Sequence, residues 1–171
     1  MRRLLAALTD HQHLLLALLA AWLILSSPWV SMLGKIPRDP GFFNSAHVWV
    51  GLVTLLISVT YCVSCLRGGG WRLYFPWLSG RAGLVLSDLR GVFRGRIPAA
   101  EGGGLFGAIE GLTLLALLAT GLTGAGWLWT QATPAAMDWR NLHVLMAHGL
   151  AVLIVVHALT TALHVLDFIR D

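Results

Sequence analysis

The chain has 171 residues, 57% of them apolar and only 12% charged, with a net charge of +4. A mean hydropathy of +0.74 excludes an ordinary soluble domain. Two cysteines make no disulfide framework, and the positive charge is read as meeting anionic lipid, not nucleic acid.

Four apolar segments, at 14–33, 43–66, 105–129 and 142–168, each reach the length of about 20 residues that a bilayer crossing needs. Proline interrupts none of them except near an end. Backbone polar groups in lipid must be paired internally, so each segment is expected to be a helix. The expected fold is an all-α membrane protein, a single domain over 1–171 built as a four-helix bundle. No internal repeat or low-complexity tract is present, and no room remains for a soluble catalytic domain.

The basic residues set an expected orientation. Arg2 and Arg3 precede the first segment, and the 67–104 connection carries Arg67, Arg72, Arg81, Arg90, Arg94 and Arg96 against Asp88 and Glu101. The other side has Lys35, Arg38 and Arg140 with Asp39 and Asp138. Positive-inside bias places both termini and the long loop in the cytoplasm. The first segment is read as a retained span, because its apolar run is too long for a signal and lacks a small-residue cleavage site.

In the first segment, Thr9 and Gln12 resemble a capping box, which predicts a helix start near Asp10. His11 and His13 follow at the cytoplasmic end. His13 is the better ligand candidate because it directly precedes the long apolar run, whereas His11 reads as interfacial. Either also fits a plain polar residue at a membrane boundary. Trp22 lies within the span and Trp29 at the far interface, where aromatics gather. A short periplasmic turn over 31–44 follows, rich in Gly34, Pro37, Pro40 and Gly41.

The second segment opens with His47 near the periplasmic face. Gly51, one turn later on the same side, leaves room for a flat macrocycle or a close helix. Cys62 and Cys65 form a C-x-x-C near the other end, but with no second pair and no thioredoxin-like context they read as packing residues. In the long loop, Trp71, Tyr74, Phe75, Pro76 and Trp77 form an aromatic cluster suited to the membrane surface. Residues 84–96 alternate apolar and basic positions, as an amphipathic helix on the inner interface does. Its role is either a lipid anchor or a docking surface for a cytoplasmic partner. Gly102 to Gly104 close the loop.

The third segment carries Glu110, the one acid well inside an apolar run. It either relays protons or bonds a quinol hydroxyl, or else snorkels or pairs with a neighbouring helix. Gly107, Gly111, Gly121, Gly124 and Gly126 allow close packing, and the absence of histidine makes this helix a wall.

The fourth segment organises the rest. It carries His143, His148, His157 and His164. A helix turns about 100° per residue, so His143 and His157 lie within about 40° of each other and about 21 Å apart along the axis. His164 continues that stripe, while His148 points away from it. Two imidazoles stacked on one side of a membrane helix suggest two haems, one per leaflet. Depth then pairs His47 with His143 and His13 with His157. An intramembrane histidine is a functional hypothesis by default, since a polar ring in lipid is costly.

These features resemble the four-helix di-haem b-type cytochromes, the family that includes bacterial cytochrome b561 and the cytochrome b subunits of nickel–iron hydrogenase and formate dehydrogenase. The resemblance rests on His13 with Ala17, H-V-W-V-G at 47–51, Thr120 with Gly121, and His143 with Ala147. It also rests on the 14-residue interval to His157 and on H-A-L-T-T-A-L-H at 157–164. By length the chain is most similar to the bacterial cytochrome b561 branch. Two positions depart from the family pattern. Leu14 follows the first-helix histidine where an aromatic is common, and Tyr61 and Cys62 stand where a basic residue is often found.

The resemblance implies two b haems in the bacterial inner membrane. His13 and His157 would be the axial iron ligands of the cytoplasmic haem, His47 and His143 those of the periplasmic one. Electrons would pass between the haems and a membrane quinone, with the chain alone or as anchor of a partner redox subunit. As an enzyme it would be a quinone-linked oxidoreductase, and a superoxide:quinone oxidoreductase is the alternative within the same fold. That version needs a cationic periplasmic funnel, for which Lys35, Arg38 and Arg140 have the right sign and side. A third reading is a non-haem metal or proton transporter, which would want ligands converging at mid-membrane instead of splitting into two levels. His164 and His148 are spare: His164 is a candidate contact to haem propionates or quinone, and His148 either bonds a periplasmic propionate or merely faces another helix.

Overall fold

A computed structural model describes the backbone of residues 2–96, 98 and 103–170; the side chains of 2–10, 68, 164 and 166–170 lie outside the described set. The described residues form six α-helices: α1 (Arg2–Ser26), α2 (Phe42–Leu66), α3 (Trp71–Tyr74), α4 (Ala82–Val92), α5 (Leu105–Trp129) and α6 (Ala135–Arg170). No strand occurs among them. Four stretches, His11–Trp29, Phe42–Leu66, Leu105–Trp129 and Ala135–Leu163, are long and apolar enough to cross a membrane. The chain is an all-α, multi-pass membrane protein.

Helix ends follow local chemistry. Helix α1 gives way to a 3-10 turn over Ser27–Trp29, because Pro28 has no N–H to continue the ladder. The hydroxyls of Ser26 and Ser27 donate to the carbonyls of Leu23 and Ile24, at 3.3 and 2.8 Å, satisfying groups the ended helix leaves open. The first span therefore stops at Trp29, short of the expected residue 33. At its other end α1 begins at Arg2 and runs unbroken through Thr9 and Asp10, so the helix start expected near Asp10 is corrected. The leucines and alanines at 4–8 are strong helix formers and carry the helix past the polar pair. The α6 helix also begins upstream of the expected 142, at Ala135, with Asp138 in its first turn, where a negative charge suits the helix dipole.

The chain divides into two compact units, Met1–Ser64 with Ala116–Leu150, and Cys65–Leu115 with Ala151–Asp171. In the first, the α1–α2 connection is clipped to α5 and α6 by side chains. The Trp127 indole N–H donates to the Leu33 carbonyl at 2.8 Å, and Arg140 Nε donates to the Met32 carbonyl at 2.7 Å. The Ile36 N–H donates to Gln131 Oε1 at 2.9 Å, and the Ser31 N–H to Asn44 Oδ1 at 2.8 Å. Thr54, Ser58 and Thr123 are buried. Their hydroxyls donate to carbonyls three or four residues back, which removes the cost of a polar group in an apolar core. Gly121 and Gly126 let Leu55 and Trp139 close in; a Cβ at either would come within 2.8 or 2.7 Å of those side chains.

In the second unit α5 presents Gly107 and Gly111 to the backbone carbonyls of Leu73 and Tyr74, where a Cβ would collide. Phe75 and Pro76 are buried, while Trp77 and Leu78 are exposed. The aromatic cluster is therefore not a uniform surface patch: its middle is packed into the protein, and only its C-terminal end is open. Asp88 of α4 accepts the Leu105 N–H at 2.8 Å and so caps α5 from a distant element. The amphipathic helix is shorter than the expected 84–96. It ends at Val92, and a turn with Gly95 at φ 73° brings the Arg96 N–H to the Gly91 carbonyl at 3.0 Å. Leu84, Leu86, Leu89 and Val92 are exposed on it. Glu101 and Gly102 lie outside the described residues.

Candidate histidine site

Of the expected ligand pairs, the structure brings His47 and His143 together. His47 stands in the first turns of α2 and His143 in the third turn of α6. Both rings are half-buried, with centres 6.3 Å apart and planes at 88°. An edge-to-face ring contact has a similar spacing, so distance alone does not define what the pair does. The ring nitrogens carry more information.

His143 Nδ1 lies 2.9 Å from the Thr120 carbonyl of α5. A carbonyl only accepts, so Nδ1 carries the proton, and Nε2 of the neutral ring keeps its lone pair. A metal-binding histidine is commonly oriented in this way, its second nitrogen donating to a backbone carbonyl. Gly124, one turn after Thr120, makes the approach possible; a Cβ there would stand 3.1 Å from both Cε1 and Nδ1 of His143. His47 differs: its Nδ1 is buried and has no hydrogen-bond partner.

A metal held by both imidazoles would need about 2.0–2.1 Å to each ligating nitrogen, and ring centres 6.3 Å apart leave that length available. Gly51 is half-buried one turn from His47, and no atom lies within 4 Å of where its Cβ would stand.

The other two candidates fall in different units and are described separately. His13 is exposed on α1 with the Tyr61 ring 6.0 Å from its own, and the neighbouring Gln12 donates to Thr60 Oγ1 at 3.2 Å. Tyr61, a departure from the family pattern, is thus the neighbour of His13. His157 is half-buried, 5.8 Å from the Phe106 ring, and its backbone carbonyl accepts the hydroxyls of Thr160 and Thr161. The α6 helix carries His143 and His157 without a break.

His11 is exposed. His148 is exposed and donates from Nδ1 to the Val144 carbonyl of its own helix at 2.8 Å, so it faces no other helix through that nitrogen. The His164 side chain lies outside the described residues. Glu110 is half-buried on α5, between the glycines that receive α3. Cys62 and Cys65 are free thiols. Among the described residues no three His, Cys, Asp or Glu side chains converge as a metal cage. Sequence reasoning missed the Thr120 carbonyl and the specific duty of Gly124. A 120/124 spacing on one helix face was legible, but which ring it would meet depends on the phase between two helices.

The chain matches no known family model, no curated protein and no solved structure.

Proposed function

We propose that the chain is a transmembrane di-haem b-type cytochrome that moves electrons between its haems and a membrane quinone. The observation that carries this reading is the His47–His143 pair, 6.3 Å between ring centres, with one ring already oriented by a backbone carbonyl. His47 and His143 would hold one haem. His13 and His157 would hold the other, an assignment that rests on their spacing and depth in the sequence and on the family resemblance.

A haem held by His47 and His143 would supply one-electron iron chemistry suited to electron transfer. The protein's own residues do the rest. Thr120 fixes the tautomer of His143, and Gly124 admits its ring. The hydrogen bonds from Trp127, Gln131 and Arg140 hold the α1–α2 connection to the helices that carry Thr120 and His143. Glu110 is the acid available to a quinol proton on α5.

The setting that goes with this function is a bacterial inner membrane. Both termini and the 67–104 loop would face the cytoplasm, with α4 lying on anionic lipid. A partner redox subunit is compatible with it. The superoxide alternative depends on Lys35, Arg38 and Arg140. Arg140 is committed to the Met32 carbonyl and to Asn141 Oδ1, leaving it less available to guide an anion. The electron-carrier reading is therefore preferred. A metal transporter would want a cage of several ligands, and no observation favours it.

The test is a pyridine haemochrome assay on the detergent-purified protein. Two b haems per chain are expected; an added quinol should reduce them and bring up their α-band, and an added quinone should reoxidise them and bleach it. Absence of haem would sink the reading. Fusion of a periplasm-active reporter to either terminus should be silent.

A further inference from the structure

The two histidines of the described pair are held unequally, and this has a consequence for the haem between them if the cytochrome reading holds. His143 is tied by Nδ1 to the Thr120 carbonyl at 2.9 Å and bounded by Gly124. His47 Nδ1 is buried without a hydrogen-bond partner. We propose that Thr120 and Gly124 are positioning residues that make His143 the anchored ligand of its haem and His47 the exchangeable one.

The chemistry of the two rings supports this. A neutral imidazole that binds metal through Nε2 must carry its proton on Nδ1. On His143 that proton already has an acceptor, so the ligating tautomer and the ring orientation are set before any metal arrives. The same proton on His47 would be buried with nothing to receive it, so the ligating tautomer is the less favoured form of that ring. His143 therefore loses little freedom on binding, whereas His47 must be held by the bond to iron itself.

The Thr120 carbonyl is built for the task. It lies 2.9 Å from both His143 Nδ1 and the Thr123 hydroxyl, so the two donors meet on one carbonyl oxygen. The Thr123 hydroxyl is buried and also reaches the Ala119 carbonyl at 2.8 Å, which fixes that turn of α5. Glycine at 124 lets the ring lie against the turn, since a Cβ there would press on it at 3.1 Å. Donation from Nδ1–H makes the imidazole a stronger electron donor and favours the ferric state of iron bound to it.

Two pairs of variants in the full-length, detergent-purified protein test the proposal. The first pair is His47→Gly and His143→Gly. His47→Gly should keep both haems, one converted to a five-coordinate high-spin spectrum, and added imidazole should restore the low-spin form. His143→Gly should fall to about one haem per chain and gain nothing from imidazole. Equal loss in the two variants, or the reverse order, would overturn the inference while leaving the cytochrome reading intact. No haem in the unsubstituted protein would overturn both.

The second pair is Gly124→Ala and Gly121→Ala. A methyl at 124 meets the His143 ring, whereas a methyl at 121 meets Leu55. Both disturb packing, but only the first touches the hydrogen bond. Gly124→Ala should shift the ferric preference of one haem by about tenfold, a rise of about 59 mV in its midpoint potential. Gly121→Ala should leave both potentials in place. Equal shifts in the two variants would reduce Gly124 to a packing residue and overturn its assigned role. If Gly124→Ala does not accumulate, the histidine pair decides the proposal by itself.

Discussion

The rings of His47 and His143 meet edge-on, with centres 6.3 Å apart and planes at 88°, although 96 positions separate them in the chain. Alanine at either should remove the low-spin bis-histidine spectrum of one haem and leave the other. The same substitution at His11 or His148, both exposed, should leave both spectra unchanged. Absorbance at liquid-nitrogen temperature, where the two α-bands separate, reads this directly. A His148→Ala protein that loses one band would mean the pairing is wrong.

Asp88 and Leu105 join α4 to the start of α5 through a 2.8 Å hydrogen bond. Asp88→Ala should destabilise the protein by about 1 kcal/mol, the usual worth of a helix N-terminal cap, and Asp88→Asn by less. Thermal unfolding in detergent, followed by circular dichroism, measures it. An unchanged midpoint in Asp88→Ala would show that the bond contributes nothing.

Arg140 and Trp127 hold the 30–41 connection from two helices. Arg140→Ala removes a charged donor and should cost about 1.5–3 kcal/mol; Trp127→Phe removes a neutral one and should cost about 0.5–1.5 kcal/mol from the hydrogen bond. Amide hydrogen exchange over 30–41 should rise in both, more in the arginine variant. Equal exchange in all three proteins would argue against the clasp.

The glycines of α5 and α6 differ in what surrounds them. A Cβ at Gly107 or Gly111 collides with the carbonyls of Leu73 or Tyr74, while one at Gly149 meets nothing within 4 Å. Gly107→Ala and Gly111→Ala should each cost about 1–3 kcal/mol through overpacking, and Gly149→Ala should be neutral or mildly stabilising. Unfolding in a mixed detergent series ranks them. Indifference at 107 and 111 would mean that α3 is not seated there.

Much of the architecture was legible in the order of residues. Four apolar runs can only be helices in lipid, because no water is present to satisfy a backbone in any other form. The third span, 105–129, agrees to the residue with α5, and the second to one residue with α2. The ends of α1 were misread for local reasons: Pro28 stops the helix sooner than hydropathy suggests, and the alanines and leucines at 4–8 start it earlier than the polar residues after them imply. The loop was misread for a non-local reason. Phe75 looks like a surface aromatic until its ring is found against Gly111, next to the Leu73 and Tyr74 carbonyls that Gly107 and Gly111 receive.

The candidate site divides along the same line. Spacing on one helix singled out His143, and His47 was paired with it by its expected level near the same end of the spans. The rotation of α5 about its own axis is not encoded in any single stretch. It is settled by which glycines are filled by Leu55, His143 and Trp139 when the helices pack. The sequence by itself therefore determined four long apolar helices and singled out His47 and His143 as a pair on two of them. Only the tertiary structure decided that Thr120 gives its carbonyl to one of them while the other goes without, because that choice is made by close packing between helices distant in the chain.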